Sequence, residues 1–144
     1  MTSGIIAEVL GGKKVLGRSI KSFAELAELI RKGLPAGSLV VLGEKLKLKN
    51  AALSEKLGIP QRTLTRRLSR HSRLTAAESD RTVRLARVYA TAVEMIGNAE
   101  KAATWHRTPN RALGGELPID QLDTDLGTKE VENILGRIAY GVYS

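Results

Sequence analysis

The hydrophobic positions of this chain recur mostly every three or four residues, which is the spacing of one face of an α-helix. They do so over residues 23–32, where Gly33 follows as a helix stop. Ser22 with Glu25 forms a capping-box pattern at the start of this segment. The short apolar stretch 39–48 is ambiguous between helix and strand, and its helical neighbours favour a helix.

The beginning of the chain has a weaker pattern. Residues 1–21 contain four glycines and scattered basic residues, so we expect a loosely held arm that is open to proteolysis. A short turn of helix around residues 5–10 is compatible with the spacing.

A long helix is predicted over residues 76–96. Thr75 and Glu78 form its capping box, and Gly97 marks its end. Its apolar surface is too broad for a helix that packs on one side only. We therefore expect it to be the spine of the second half of the chain or part of a dimer interface.

The remaining segments are also predicted to be helical. Asn98 can cap a short helix over residues 99–106. A stretch rich in Gly, Pro, Asn and Asp then predicts an ordered turn, with a short helix after Pro118. A last helix is predicted over residues 129–139, capped by Thr128. The fold class is therefore all-α.

Residues 50–70 have the pattern of a helix, a tight turn and a second helix. Ser54 supplies a small residue where the two helices would cross, and Gly58 can adopt the positive φ that the turn needs. Leu64 and Leu68 mark the inward face of the second helix. Polar and basic side chains suited to base edges and phosphates are left over as candidate DNA contacts: Gln61, Arg62, Thr65, Arg66, Arg67, Ser69 and Arg70.

Charge favours a polyanionic partner for the first half of the chain. The net charge is +8, and residues 1–74 hold 15 Lys and Arg against 5 Asp and Glu, a charge of +10. Residues 75–144 hold 8 against 10, a charge of −2. Helix pairs joined by a glycine turn also occur in proteins that never bind DNA. The run of arginines without an acid from Arg62 to Arg73 favours DNA binding, because unpaired like charges repel unless an anion compensates them.

The residues offer little support for catalysis. There is no cysteine, which excludes disulfides and thiolate chemistry. Neither His71 nor His106 has metal-site spacing to another ligand, and the carboxylates of residues 120–125 do not match a calcium loop. We expect no enzyme activity, cofactor or metal. No apolar run is long enough to cross a bilayer, so we expect a soluble, cytoplasmic protein.

The second half of the chain resembles the toxin-binding domain of the MbcA/ParS/Xre antitoxin family. The resemblance lies in the run WHRTPNRALGGELPIDQLDTDLGTKEVENILGRIAYGVYS, with residues 74–97 before it. The segment LGIPQRTLTRRL is similar to the Xre-type helix-turn-helix that is usually fused to this domain. Together these predict an arm (1–21), a DNA-binding domain (22–73) and a toxin-binding and dimerisation domain (74–144).

The resemblance implies the antitoxin of a type II toxin–antitoxin system. Its partner would be a RES-domain toxin that consumes NAD, and the complex would repress its own operon. The resemblance also implies a set of toxin-facing or interface-shaping residues: Trp105, Asn110, Arg111, Gly114, Gly115, Arg137, Tyr140, Gly141 and Tyr143. We add Val142 and Ser144, since we expect 137–144 to reach the mouth of the toxin's active site. The alternative is that this tail packs on its own domain.

Two further functions remain open from the sequence. One is a stand-alone transcription regulator whose second half dimerises or senses a ligand. The other is a nucleoid-type protein that binds DNA without sequence preference. Operator binding by a helix-turn-helix normally needs a dimer, and we expect a homodimer formed through the long helix.

Overall fold

The computed structural model describes residues 2–139, and these contain nine α-helices, two short 3₁₀ helices and no strand. The helices are α1 (Ser3–Val9), α2 (Gly12–Leu16), α3 (Phe23–Lys32), α4 (Gly37–Leu46), α5 (Asn50–Leu57), α6 (Gln61–Ser69), α7 (Ala76–Ile96), α8 (Ala99–His106) and α9 (Asp125–Ala139). The 3₁₀ helices are Arg111–Leu113 and Pro118–Gln121. The prediction of an all-α fold is confirmed.

Capping side chains fix several helix starts where the sequence predicted them. The Ser22 hydroxyl accepts from the Glu25 amide at 3.1 Å, and α3 begins at the next residue after Ser22. Thr75 and Glu78 form the complete capping box of α7. Asn98 caps α8 by accepting from the Lys101 amide at 2.9 Å. The ambiguous stretch 39–48 belongs mostly to a helix, α4.

Residues 3–16 do not form the loosely held arm that we expected. They form α1 and α2, and Ile6, Leu10 and Leu16 are buried in the same core as the later helices. The Thr2 hydroxyl caps α1 by accepting from the Ile5 amide at 3.2 Å. The burial of these apolar side chains offsets the entropy cost of ordering a glycine-rich segment.

Helix α7 is the spine of the whole described structure. It contacts α1, α3, α4, α5, α8 and α9. Its buried positions include Ala86, Ala90 and Ala92, whose small side chains let neighbouring helices approach closely. The broad apolar surface predicted for this helix is therefore covered largely by the chain itself. A dimer through α7 stays a prediction.

The last helix begins earlier than predicted. It starts at Asp125, because the Thr124 hydroxyl accepts from the Gly127 amide at 3.0 Å and so caps it. Thr128, the predicted cap, lies buried in the first turn and donates to the Thr124 carbonyl at 2.7 Å. The prediction that Thr128 caps this helix is therefore wrong, and the cap is Thr124.

Within residues 2–139, no helix is long and apolar enough to span a membrane.

Candidate functional site

The turn between α5 and α6 is held by short-range contacts. Gly58 adopts φ +66°, in the left-handed region that favours glycine. The buried Ser54 hydroxyl donates to the Ile59 carbonyl just past the turn. Leu57 and Leu64 are buried on either side of it. The sequence-predicted helix-turn-helix is therefore present, with a fixed angle between its two helices.

One face of α6 carries donors that the rest of the described structure leaves free. Gln61, Arg62, Thr65 and Arg66 are exposed there, as are Ser69 and Arg70 at its end. The ion pairs found within residues 2–139 do not include Arg62, Arg66 or Arg70. The first turn of α6 also has no acidic residue. This face can therefore offer several positive charges to a polyanion at once.

Arg67 does not share this exposed face. Its guanidinium forms an ion pair with Glu78 of α7, and only 17% of the Arg67 side chain and 11% of the Glu78 side chain are exposed. Arg67 was predicted as a DNA contact, but in the described structure it is paired with Glu78 instead. A signal was available in the sequence, because Arg67 follows the buried Leu64 by three residues and so lies on the same side of the helix.

The turn after α8 brings together four of the predicted toxin-facing residues. The Asn110 side chain accepts from the Ala112 amide at 2.9 Å, and its backbone bonds to Gly115 and Glu116, both at 2.9 Å. Gly114 and Gly115 have φ of +66° and +89° and are exposed. Asn110 and the glycines thus close a tight loop that presents the exposed Arg111.

The remaining predicted toxin-facing residues lie elsewhere. Trp105 is half-buried in α8 and meets the His106 ring edge to face, with centroids 5.3 Å apart. The Arg137 Nη2 of α9 lies 3.8 Å from the Glu130 Oε1. The Arg137 Nε is buried without a hydrogen-bond partner among residues 2–139. The predictions for Tyr140, Gly141, Val142, Tyr143 and Ser144 fall outside the described residues.

A salt bridge that sequence reasoning missed joins the two halves of the chain. The Lys56 Nζ of α5 lies 2.5 Å from the Asp120 Oδ1 in the second 3₁₀ helix. The pairing spans 64 residues of sequence, so no local pattern indicates it. It ties the helix-turn-helix to the segment that leads into α9.

His106 is the titratable group most changed by the fold. Burial lowers its pKa to about 4, although the hydrogen bond between its Nδ1 and the Ala102 carbonyl at 2.9 Å acts in the opposite direction. The ring is therefore neutral at physiological pH and belongs to the core. Among the described residues, no group of three or more His, Asp or Glu side chains is placed to hold a metal ion.

Two family models match successive parts of the chain. The model of the antitoxin Xre-like helix-turn-helix domain matches residues 25–87. The model of the antitoxin Xre/MbcA/ParS C-terminal toxin-binding domain matches residues 91–141. The first match contains most of α3 and all of α4 to α6, and the second contains the 110–116 loop and α9. Helix α7 begins in the first match and ends in the second.

Similar proteins carry corresponding names. The chain is 36% identical to Antitoxin Xre of Yersinia enterocolitica, over 78% of this chain and 87% of that protein. It is 33% identical to Antitoxin Xre of Photorhabdus laumondii, over 91% and 89%. It is 26% identical to the Prs ADP-ribosylating antitoxin of a Sphingobium species, over 93% and 96%. The chain therefore belongs to the Xre-type family of type II antitoxins, in which a helix-turn-helix domain is joined to a toxin-binding domain.

Proposed function

We propose that this antitoxin neutralises a RES-domain, NAD-consuming toxin by covering its active site, and that it binds operator DNA as a homodimer to repress its own operon. The observation that carries the DNA part is the exposed face of α6. Arg62, Arg66 and Arg70 are exposed there, and none of them belongs to an ion pair within residues 2–139. Arginine and glutamine are the side chains that read guanine and adenine edges in the major groove.

Three observations support the toxin part of the proposal. The chain belongs to a family that has a toxin-binding domain. The name of the Sphingobium relative links that antitoxin to ADP-ribosylation, a reaction in which NAD donates the transferred group. The 110–116 loop presents Arg111, a cationic group suited to a carboxylate or phosphate on a partner. The tail 137–144 is proposed to enter the toxin's active site, where its tyrosines can take the place of an aromatic base.

Cellular NAD tests the toxin part. The neighbouring gene is expressed alone, with the full-length chain, and with a chain cut after Ala139. We expect NAD to collapse with the neighbour alone and to recover only with the full-length chain. Recovery with both forms would keep the antitoxin and contradict the role of the tail. If the neighbour alone leaves NAD and growth unchanged, the proposed toxin class is wrong.

A competition titration tests the DNA part. The full-length protein is titrated against a palindrome from its own promoter, with random DNA as competitor. We expect preference for the palindrome, and we expect Arg66→Ala to lower the affinity for it by about 1 to 3 kcal/mol if Arg66 reads a base. An equal loss on random DNA would assign Arg66 to a phosphate. Equal binding of both DNAs by the wild type would contradict operator recognition.

A further inference from the structure

The C-terminal end of α6 is attached to the second half of the chain through one partly buried ion pair. The Arg67 guanidinium meets the Glu78 carboxylate of α7. Removing one member of such a pair leaves a charge that is poorly solvated and unpaired, which is much more costly than losing an exposed pair. Arg67 and its exposed neighbour Arg66 therefore have different roles, although they are adjacent in sequence.

Glu78 presents its carboxylate in a fixed orientation. Its Oε1 accepts from the Thr75 amide at 2.8 Å, while its own amide donates to the Thr75 hydroxyl at 3.1 Å. The carboxylate also lies at the N-terminus of α7, where a negative charge is favoured by the helix dipole. The acceptor of Arg67 is thus held in place by α7, so that a movement of α6 would break the ion pair.

The chain just after α6 is hydrogen-bonded to the segment between α3 and α4. The Ser72 amide donates to the Arg67 carbonyl at 2.9 Å, and the Ser72 carbonyl accepts from the Ala36 amide at 3.0 Å. The Leu74 amide donates to the Leu34 carbonyl at 2.8 Å. These bonds hold the end of α6 by its backbone, and the Arg67–Glu78 pair holds a side chain of its last turn.

We propose that Arg67 is a positioning residue for DNA recognition: its pair with Glu78 sets the orientation in which α6 presents Arg62 and Arg66, and Arg67 itself does not contact DNA. The inference rests on the proposed operator binding by α6. Because α6 has only nine residues, a small rotation at its anchored end shifts every outward side chain together.

Salt dependence separates positioning from phosphate contact. Operator affinity of the full chain is measured from low to moderate salt for wild type, Arg67→Met and the control Arg66→Met. We expect Arg67→Met to weaken binding about tenfold at every salt concentration, with the slope of the wild type. If the titration against random DNA assigns Arg66 to a phosphate, Arg66→Met should reduce the magnitude of the slope by about one, as lost phosphate neutralisation does. An equal reduction for Arg67→Met, or an unchanged affinity, would overturn the proposal.

A second variant guards against simple unfolding. Glu78→Gln removes the charge but keeps an oxygen that can accept from the Thr75 amide, so the start of α7 is retained. With helix content checked by circular dichroism, we expect Glu78→Gln to reproduce the loss of affinity at unchanged slope. The double variant should bind no worse than the weaker single variant, since both changes break one interaction. Additive losses would show that the two residues act separately.

Hydrogen exchange tests the anchoring without DNA. Backbone amides of α6 should exchange about tenfold faster in both single variants, relative to the core amides of α7, because the helix end is released. Unchanged exchange in α6 would overturn the positioning role. If the wild type binds no operator at all, the proposed DNA function fails, and the exchange data still decide whether Arg67 anchors α6.

Discussion

His106 is a histidine that the fold keeps neutral. Its ring is fully buried between Trp105 and Tyr89, with centroid separations of 5.3 and 6.2 Å, and its Nε2 has no hydrogen-bond partner among residues 2–139. Protonation would place a charge there with nothing to compensate it. Burial accordingly lowers its pKa to about 4, below the usual histidine value of 6.5.

This low pKa gives stability a defined pH dependence. Between pH about 6.5 and about 4 the unfolded chain binds a proton at His106 and the folded chain does not. The contribution of neutral His106 to the free energy of unfolding is therefore complete above pH about 6.5 and falls as the pH is lowered. We expect a loss of about 3 kcal/mol over this window. Urea unfolding at several pH values should show it for wild type and not for His106→Gln. Identical pH profiles for the two proteins would contradict this account.

Helix starts were largely predictable from the sequence because caps are local. Ser22, Thr75 and Asn98 each accept from an amide three residues ahead. Ser22 and Thr75 were identified from the capping-box spacing, and Asn98 as a cap residue before a short helical segment. The Arg67–Glu78 and Lys56–Asp120 pairs were not predicted. The first joins α6 to α7 and the second joins α5 to the second 3₁₀ helix, and these elements meet only in the folded chain. Most of the candidate DNA contacts on α6 are exposed, whereas Arg67 is paired with Glu78. Contact of this face with DNA stays a prediction.

The start of α9 shows an element selected by close packing. Gly127 lies in its first turn, where an added Cβ would come within 2.1 Å of the Gln121 carbonyl oxygen in the second 3₁₀ helix. A side chain at this position would push the two segments apart. Gly136 lies in the same helix, and an added Cβ there meets no atom of residues 2–139 within 4 Å.

These two glycines form a matched pair of variants. We expect Gly127→Ala to lower the free energy of unfolding by about 1 to 3 kcal/mol, because the contacting atom is backbone and cannot simply rotate away. Gly136→Ala should raise it by about 0.5 to 1 kcal/mol through the better helix propensity of alanine. Urea unfolding measures both. A neutral or stabilising Gly127→Ala would show that the segments separate without cost.

At the scale of the whole molecule, the two family domains share one hydrophobic core. Leu10 just after α1, Leu53 of α5 and Leu135 of α9 are all fully buried members of it. Helix α7 runs through this core and contacts elements from both halves. The burial of residues 3–16 was not predicted from the sequence. Their glycines suggested a loose segment, and α1 and α2 are too short to show a clear hydrophobic periodicity.

A shared core predicts a single unfolding transition. Trp105 is the only tryptophan and lies in α8, so its fluorescence reports the second half, whereas far-ultraviolet circular dichroism reports all helices. We expect the two signals to give coincident urea transitions. Leu10→Ala should lower the free energy of unfolding from both signals by about 2 to 5 kcal/mol, because it opens a cavity in the common core. Ile5→Ala, at an exposed position of α1, should change that free energy little. If Leu10→Ala left the Trp105 transition unchanged, the N-terminal helices would unfold separately from the toxin-binding half. The DNA-binding and toxin-binding parts would then be separate cooperative units.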